Sequence, residues 1–248
     1  MSKTSVYLFV VFFAFPFIAS ADEGFKNFSI TGNIRVKSQY VFRNGIVASD
    51  KPVAQGNITL GWQNGIYVDL WSSVKLQLGP NTKFGNEVNS TVGWFGKVGN
   101  GLKIDTGIAY FDLFPVPNLN GDDIVDFYGE VMPEKNWELG SGGNLTPFAK
   151  LEILWTPNGV VKAKSVPRVG LYHNLREGKW ALNQKFDIAH YPSIRGRDTG
   201  VIVGYEVGIN YAVNKNIAVG PTVKLSKPIG FNDRASQNIF GFGLRFAY

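Results

Sequence analysis

The chain has no cysteine, only two histidines and two methionines in 248 residues. Without thiols there is no disulfide framework and no thiolate metal site, and histidine is too scarce for a clustered imidazole centre. Charged residues make up 18% of the chain, and the net charge of +6 is spread along it with no basic block of the kind that selects nucleic acid. Past residue 21 no apolar run approaches the roughly 20 residues that a membrane helix requires. Helical periodicity and domain linkers are missing as well. A mature chain of this kind is either soluble or crosses lipid as strands.

What is present starts at Lys3, the one charge before an apolar run from Val6 to Ala19, followed by Ala19-Ser20-Ala21 and then Asp22-Glu23. This order predicts a secretory signal peptide over residues 1–21, cleaved after Ala21, with residues 22–248 as the mature domain. The run is too short for a membrane anchor, and Pro16 argues against a helix that continues.

The last stretch, Ile239 to Tyr248, alternates strictly. Phe240, Phe242, Leu244, Phe246 and Tyr248 share one parity, while Gly241, Gly243, Arg245 and Ala247 share the other. A strand turns successive side chains to opposite faces, so one face is apolar and the other is small or charged. The same pattern predicts a long strand from Phe28 to Phe42, with Arg35 and Lys37 opposite the apolar set. Further two-faced segments follow to the end of the chain, with tight turns at Asn64-Gly65, Gly99-Asn100-Gly101, Arg176-Glu177-Gly178 and Asn214-Lys215-Asn216. Longer links lie at Asn44 to Pro52, Gln77 to Asn86, Asp112 to Asp123, Thr156 to Val166, Tyr191 to Asp198 and Ser226 to Arg234. Pro133 to Asn144 reads as an unusually long turn, Arg168 to Leu175 as a short strand, and Pro221 as a misfit inside a strand.

The expectation is all-β: a transmembrane antiparallel up-and-down β-barrel of about 12 strands, with short turns and both termini periplasmic. Aromatics cluster at the expected strand ends, with Phe28, Trp62, Trp94, Trp180, Tyr211, Phe246 and Tyr248 at one and Tyr40, Phe42, Tyr110, Trp155 and Phe240 at the other. That is the girdle pattern of a barrel in the bacterial outer membrane, since amphipathic rings favour the headgroup level. The aromatic chain end at Tyr248 is expected to be read by the barrel-assembly machinery.

The segments Ser38-Gln39-Tyr40-Val41-Phe42-Arg43-Asn44-Gly45-Ile46, Asp50-Lys51-Pro52-Val53-Ala54-Gln55-Gly56, Asn64-Gly65-Ile66-Tyr67-Val68 and Trp71-Ser72-Ser73 resemble the opening of TorF-like porins. Asn44 is an insertion relative to that pattern, and Asp69 stands where the family has glycine. The resemblance implies an outer-membrane channel-like protein.

Chemistry in the usual sense is thin. His190 has Asp187 and Ser193 nearby in sequence, the composition of a hydrolase triad, but a polar residue at a strand end is the simpler reading. His173 lies among apolar neighbours, and no cofactor, metal or enzymatic activity is expected. The matches to N-x-S/T at Asn27, Asn57, Asn89 and Asn144 are chance in a bacterial chain. The charges predicted to face the lumen carry more. Arg35, Lys37, Arg43, Lys224 and Arg245 form a basic wall, and Asp122, Asp123, Asp126 and Glu130 an acidic wall. Facing one another, they would set up a transverse field that orients polar solutes and sets ion selectivity; solvated or paired with one another, they would have no transport role. The expected function is a porin-like channel for passive diffusion of small hydrophilic or ionic solutes, with Asp112 to Asp123 as the loop folded inward. The alternatives are a barrel enzyme acting on lipid and a non-conducting structural or adhesive surface barrel.

Overall fold

The computed structural model describes residues 27–76, 86–113, 123–140, 142–157, 162–193 and 198–248. The expected leader and its cleavage point, Asp122, most of the Gln77–Asn86 link and nearly all of the Asp112–Asp123 loop lie outside the described residues.

Alternation produces strands throughout. In chain order they are β1 (Phe28–Lys37), β2 (Tyr40–Val41), β3 (Val47–Ser49), β4 (Val53–Trp62), β5 (Ile66–Lys75), β6 (Asn86–Val98), β7 (Leu102–Leu113), β8 (Ile124–Pro133), β9 (Trp137–Glu138), β10 (Gly143–Trp155), β11 (Lys164–Glu177), β12 (Trp180–Tyr191), β13 (Gly200–Ala212), β14 (Ile217–Ile229) and β15 (Gln237–Ala247). The long strands pair antiparallel with their chain neighbours, and β15 returns to pair with β1 from Thr31↔Ala247 to Lys37↔Gly241. The result is a closed twelve-stranded antiparallel barrel with no free edge. The short β9 pairs back onto β10 and folds the Pro133–Asn144 link into a small hairpin.

Both ends of the strand circuit lie at one rim, where the Tyr248 and Ile30 amides exchange backbone hydrogen bonds of 2.8 and 3.0 Å. The tight turns gather there too. At Asn64-Gly65, Gly65 adopts φ 89° and its amide donates to the Trp62 carbonyl at 2.9 Å, a conformation that strains any other residue. The Asn214 side chain accepts from the Asn216 and Ile217 amides, both at 2.8 Å.

The faces sort as the alternation requires. Val68, Leu70, Val92, Phe127, Val131, Leu151, Phe186 and Ile188 project outward and are exposed, and Phe240 and Phe242 are each 59% exposed. Gln55, Ser73, Glu152, Arg168 and Thr222 are buried on the inner side. A soluble sheet would bury the first set and solvate the second. Here they are reversed, which suits a surface wrapped in hydrocarbon and an interior filled with polar side chains. Near the rim where Ile30 meets Tyr248, Phe28 meets Trp62 edge-on at 5.4 Å and Trp180 lies 4.9 Å from Tyr211. At the far rim Phe127 stacks on Trp155 at 4.9 Å.

Four expectations are corrected. The first strand stops at Lys37, and Tyr40 and Phe42 leave the wall for the interior, so neither belongs to an outer girdle. Arg168 to Leu175 belongs to the fourteen-residue β11, one of the longest strands rather than a short one. Pro221 sits in the middle of β14 without ending it. The β13–β14 ladder skips only the residues facing Gly220 and Pro221, and it resumes in the same register from Gly208↔Thr222 to Tyr211↔Val219. The barrel tolerates a missing donor because β15 still pairs on the other side, Pro221↔Phe242.

Phe242, at the centre of β15, tests the outward assignment. Phe242→Arg is expected to destabilise the barrel refolded in lipid vesicles by about 2–4 kcal/mol, the cost of a midplane cation against lipid, read as a lower urea midpoint. A soluble-core origin for this face would instead leave the mature protein dispersed without detergent.

Candidate functional site

The interior is the candidate site, and its dominant feature is a hairpin. After β1 the chain is tied to β15 by the Ser38 amide on the Phe240 carbonyl (2.8 Å) and by Gln39 on Gln237 and Asn238. It then turns into the barrel. β2 and β3 pair as Tyr40↔Ser49 and Val41↔Val47 around a turn closed by Phe42 amide to Ile46 carbonyl (2.8 Å) and Gly45 amide to Phe42 carbonyl (2.9 Å). Asn44, the insertion seen in the sequence, is the tip. Its side chain accepts from the Ile46 amide, and its carbonyl takes a hydrogen bond from Arg234.

The hairpin crosses the lumen instead of covering it from outside. Tyr40 donates to Glu87 of β6 at 2.7 Å and packs 5.7 Å from Trp71 of β5. Arg43 lies over the Phe111 ring of β7 at 5.4 Å and reaches Asp126 of β8 (3.4 Å) and Glu152 of β10. Phe42, Ile46, Val47 and Ala48 enclose, with Phe111, Leu113, Ile124, Leu154 and Tyr191, an apolar space of about 200 Å³. Beside it Val166, Ala189, Tyr191 and Ile202 form a buried apolar cluster. The far mouth thus contains a small hydrophobic core, against which the hairpin is held by apolar burial and charge-assisted hydrogen bonds.

Beneath the hairpin runs a cavity of about 870 Å³, reaching from Tyr40 and Arg43 down to the Gln63–Gly65 turn. Its charges fall into sectors. β1, β14 and β15 present Arg35, Lys37, Lys224 and Arg245, against which β13 sets Glu206, 3.3 Å from Arg35. β8, β10, β11 and β12 carry an ion-pair network. Glu152 contacts Arg43, Lys150 (3.4 Å) and Arg168 (3.3 Å), and Arg168 also holds Asp187 and donates to the Tyr191 hydroxyl at 2.8 Å. The third sector, β5 to β7, holds Asp69, Glu87 and Asp105. Among the described residues none of these three forms an ion pair. Their partners are neutral: Asn57 on Asp69 (2.6 Å), Tyr40 on Glu87 and Tyr67 on Asp105 (2.6 Å).

Tyr67 and Tyr128 keep this sector open. Tyr67 lies flat over Gly93 of β6, where a Cβ would come within 2.5 Å of the ring, and Tyr128 reaches over Gly107 of β7, where a Cβ would sit 2.7 Å from its hydroxyl. The two hydroxyls bond to each other. Glycine on the inner face lets each ring lie along the wall instead of across the lumen.

Similarity to known proteins can be set against this geometry. Residues 21–142 match the family described as "Bacterial protein of unknown function (Gcw_chp)". No curated protein matches the chain. Among solved structures, the KdgM porin, in complex with disordered oligogalacturonate, is 8% identical with a TM-score of 0.56, over 89% of this chain and 99% of that one. The NanC porin is 13% identical with a TM-score of 0.54, over 88% and 98%. An outer-membrane channel from Pseudomonas putida F1 is 11% identical with a TM-score of 0.53, over 90% and 96%. The fold is porin-like. At such identities the likeness concerns the barrel architecture and not what passes through it. The matched segment contains every motif behind the resemblance to TorF-like porins, and the family it matches is the Gcw_chp one.

Within this porin-like barrel, the sequence-predicted residues are placed as follows. Arg35, Lys37, Lys224 and Arg245 share the β14–β15–β1 sector. Arg43 does not join them. The hairpin carries it across the lumen to Asp126 and Glu152, where it neutralises the wall it was expected to oppose. Asp126 and Glu130 face inward from β8, but Asp126, 1% exposed, is engaged by Arg43, and Glu130 accepts from the Tyr172 hydroxyl at 3.1 Å. Asp123, fully buried, accepts from the Leu113 amide (3.0 Å) and the Tyr110 hydroxyl (2.5 Å), clasping the ends of β7 and β8 together instead of facing the lumen. The carboxylates without cationic partners, Asp69, Glu87 and Asp105, were missed as a group, although their parity marks them as inner residues. Asp187 and His190 point to opposite faces of β12, and Asp187 is held by Arg168, so these residues do not assemble with Ser193. His173 and Gln184 pair at 3.1 Å on the outer face, with Tyr205 donating to Gln184 at 2.5 Å.

Arg43 is the hairpin's charged anchor. Arg43→Gln is expected to raise amide exchange across residues 42–49 by roughly fivefold, since an ion pair from a half-exposed cation contributes up to about 1 kcal/mol and Glu152 keeps Lys150 and Arg168, while the barrel strands keep their protection. Unchanged exchange in the hairpin would show that apolar packing alone holds it.

Proposed function

We propose that the protein is a bacterial outer-membrane channel for passive diffusion of small hydrophilic or ionic solutes. In this reading the rim with the termini and the short turns faces the periplasm, the outer stripes contact outer-membrane lipid, and the strand ending at Tyr248 is the signal for the assembly machinery. The motifs in Ser38–Gly56 and Asn64–Ser73 support kinship with TorF-like porins. No catalytic role is assigned to any residue.

The observation that carries the reading is the 870 Å³ cavity, which spans from the turn at Gln63–Gly65 to the underside of the hairpin and is lined by Lys37 and Lys224 on one side and Asp69 and Asp105 on another. Charges of opposite sign on separate sectors of a narrow polar lumen create a field across it, which orients dipolar solutes and biases ions. The acidic side of that field belongs to β5–β7, since the ion pairs on β8–β12 cancel one another.

The hairpin favours a second reading, a barrel held shut at its far mouth. Current through the refolded chain in planar bilayers separates the two. An open channel conducts as wild type, whereas a closed one conducts only once Arg43→Gln loosens the hairpin.

The triple variant Arg35→Gln, Lys37→Gln and Lys224→Gln removes three lumen cations and should move the reversal potential in a salt gradient toward cation selectivity. A reversal potential equal to that of wild type would exclude the basic sector from solute selection.

A further inference from the structure

At the rim where Ile30 meets Tyr248 the lumen contains a second cavity, of about 450 Å³, with a composition unlike the rest of the interior. Arg176, Lys179, Lys215 and Arg245 line it, and among the described residues no aspartate or glutamate does. Elsewhere in the barrel the cations have carboxylates close by, as Arg43, Lys150 and Arg168 do at Glu152, and the one carboxylate of the basic sector, Glu206, is bonded to Arg35.

A second, independent feature points the same way. Asn210 of β13 is only 6% exposed, yet its side-chain Nδ2 has no hydrogen-bond partner. A buried N–H group left without an acceptor costs roughly 1–3 kcal/mol, and native interiors rarely leave one. The reason no protein acceptor reaches it is local. The β13–β14 ladder is interrupted opposite Gly220 and Pro221, and on the inner face the register sets Asn210 beside Gly220 and then Gly243, which have no side chains, while Arg245 lies one inner row nearer the rim, across from Ala218 and Ala212. Arg245 sits two strands from β13, about 10 Å across the sheet, a gap its long side chain can bridge. The arrangement is a pocket of amide groups and positive charge from which carboxylates have been left out.

We propose that this mouth is an oxyanion-binding site, taking the carboxylate or phosphate group of a small hydrophilic solute between the Arg245 guanidinium and the Asn210 amide. A guanidinium offers two parallel N–H donors matched to such a group, and the Asn210 Nδ2 supplies a third. Arg245 also begins a basic lane continuing through Arg35 to Lys37 and Lys224 on the same wall, so the site stands at one end of a path suited to anions. This inference deepens the channel reading above and rests on it only for the anion's route through the barrel, not for its binding.

The test is equilibrium titration of the refolded full barrel in a non-ionic detergent with inorganic phosphate, and separately with acetate, by calorimetry at constant ionic strength. Saturable binding that weakens at least about tenfold in Arg245→Gln and in Asn210→Leu, and less in Arg245→Lys, is the expected result. Heat-modifiability on gels verifies that each variant is folded, and Asn210→Ser serves if the leucine variant is not. Preference for phosphate or for acetate identifies the group the site is built for. No saturable binding of either anion by a folded barrel, or binding that both variants leave unchanged, overturns the proposal. A barrel that binds phosphate but carries no current overturns the channel reading and leaves this one standing. One that conducts without binding does the reverse.

Discussion

In hydrocarbon every backbone N–H and C=O must find its partner within the protein, and here that demand is met by the seam between β1 and β15. Seven register pairs join them, from Thr31↔Ala247 to Lys37↔Gly241, and the exchange between Tyr248 and Ile30 continues the seam to the rim. Without it the sheet would present two edges to lipid. With it, each strand can be apolar outward and polar inward along its length, and the interior becomes a wall of charged and amide side chains. The same closure absorbs the missing donor at Pro221, because β14 remains paired to β15 where its bond to β13 lapses.

A polar lumen wall creates a second problem, since unlike charges on adjacent strands tend to pair and fill the space. The chain handles the three lumen sectors differently. On β8 to β12 carboxylates and cations are matched, and Arg43 arrives from the hairpin to complete the set at Asp126 and Glu152. On β5 to β7 the carboxylates are held by tyrosines and an asparagine, so no cation among the described residues cancels their charge. On β14, β15 and β1 four cations share Glu206. The field across the lumen is therefore set by which strands lack internal counter-charges, not by a census of all inner charges. The hairpin adds an apolar mouth to this polar tube, with Phe42 and Ile46 packed against Phe111, Leu113 and Tyr191.

Much of the architecture was legible in the chain. The alternation in Ile239–Tyr248 indicated which residues face out, and the exposed Phe240 and Phe242 agree. The turn chemistry at Asn64-Gly65 and Asn214-Lys215-Asn216 located hairpins, because those residues adopt or cap tight turns wherever they occur. Three features were not legible. Tyr40 and Phe42 keep the parity of the first strand, but an apolar stripe carries no mark distinguishing contact with lipid from contact with an inner cluster. Asp123 resembles its lumen-facing neighbours in sequence, and only the approach of Tyr110 and the Leu113 amide makes it a clasp. Arg168 was passed over as the start of a short strand, although it is the hub joining Glu152, Asp187 and Tyr191.

The two-faced strands and their turns follow from the residues alone, because side-chain parity and turn preference act over a few residues and need no partner. That suffices for an all-β barrel with a greasy exterior and a charged lumen. How those charges meet depends on the closed barrel. Strands distant in sequence become neighbours across a register, and a hairpin can carry a cation from one wall to the opposite one, as it does Arg43. The counter-charge balance of each sector, and the carboxylate-free pocket at Asn210, follow from closure in three dimensions and have no local signature.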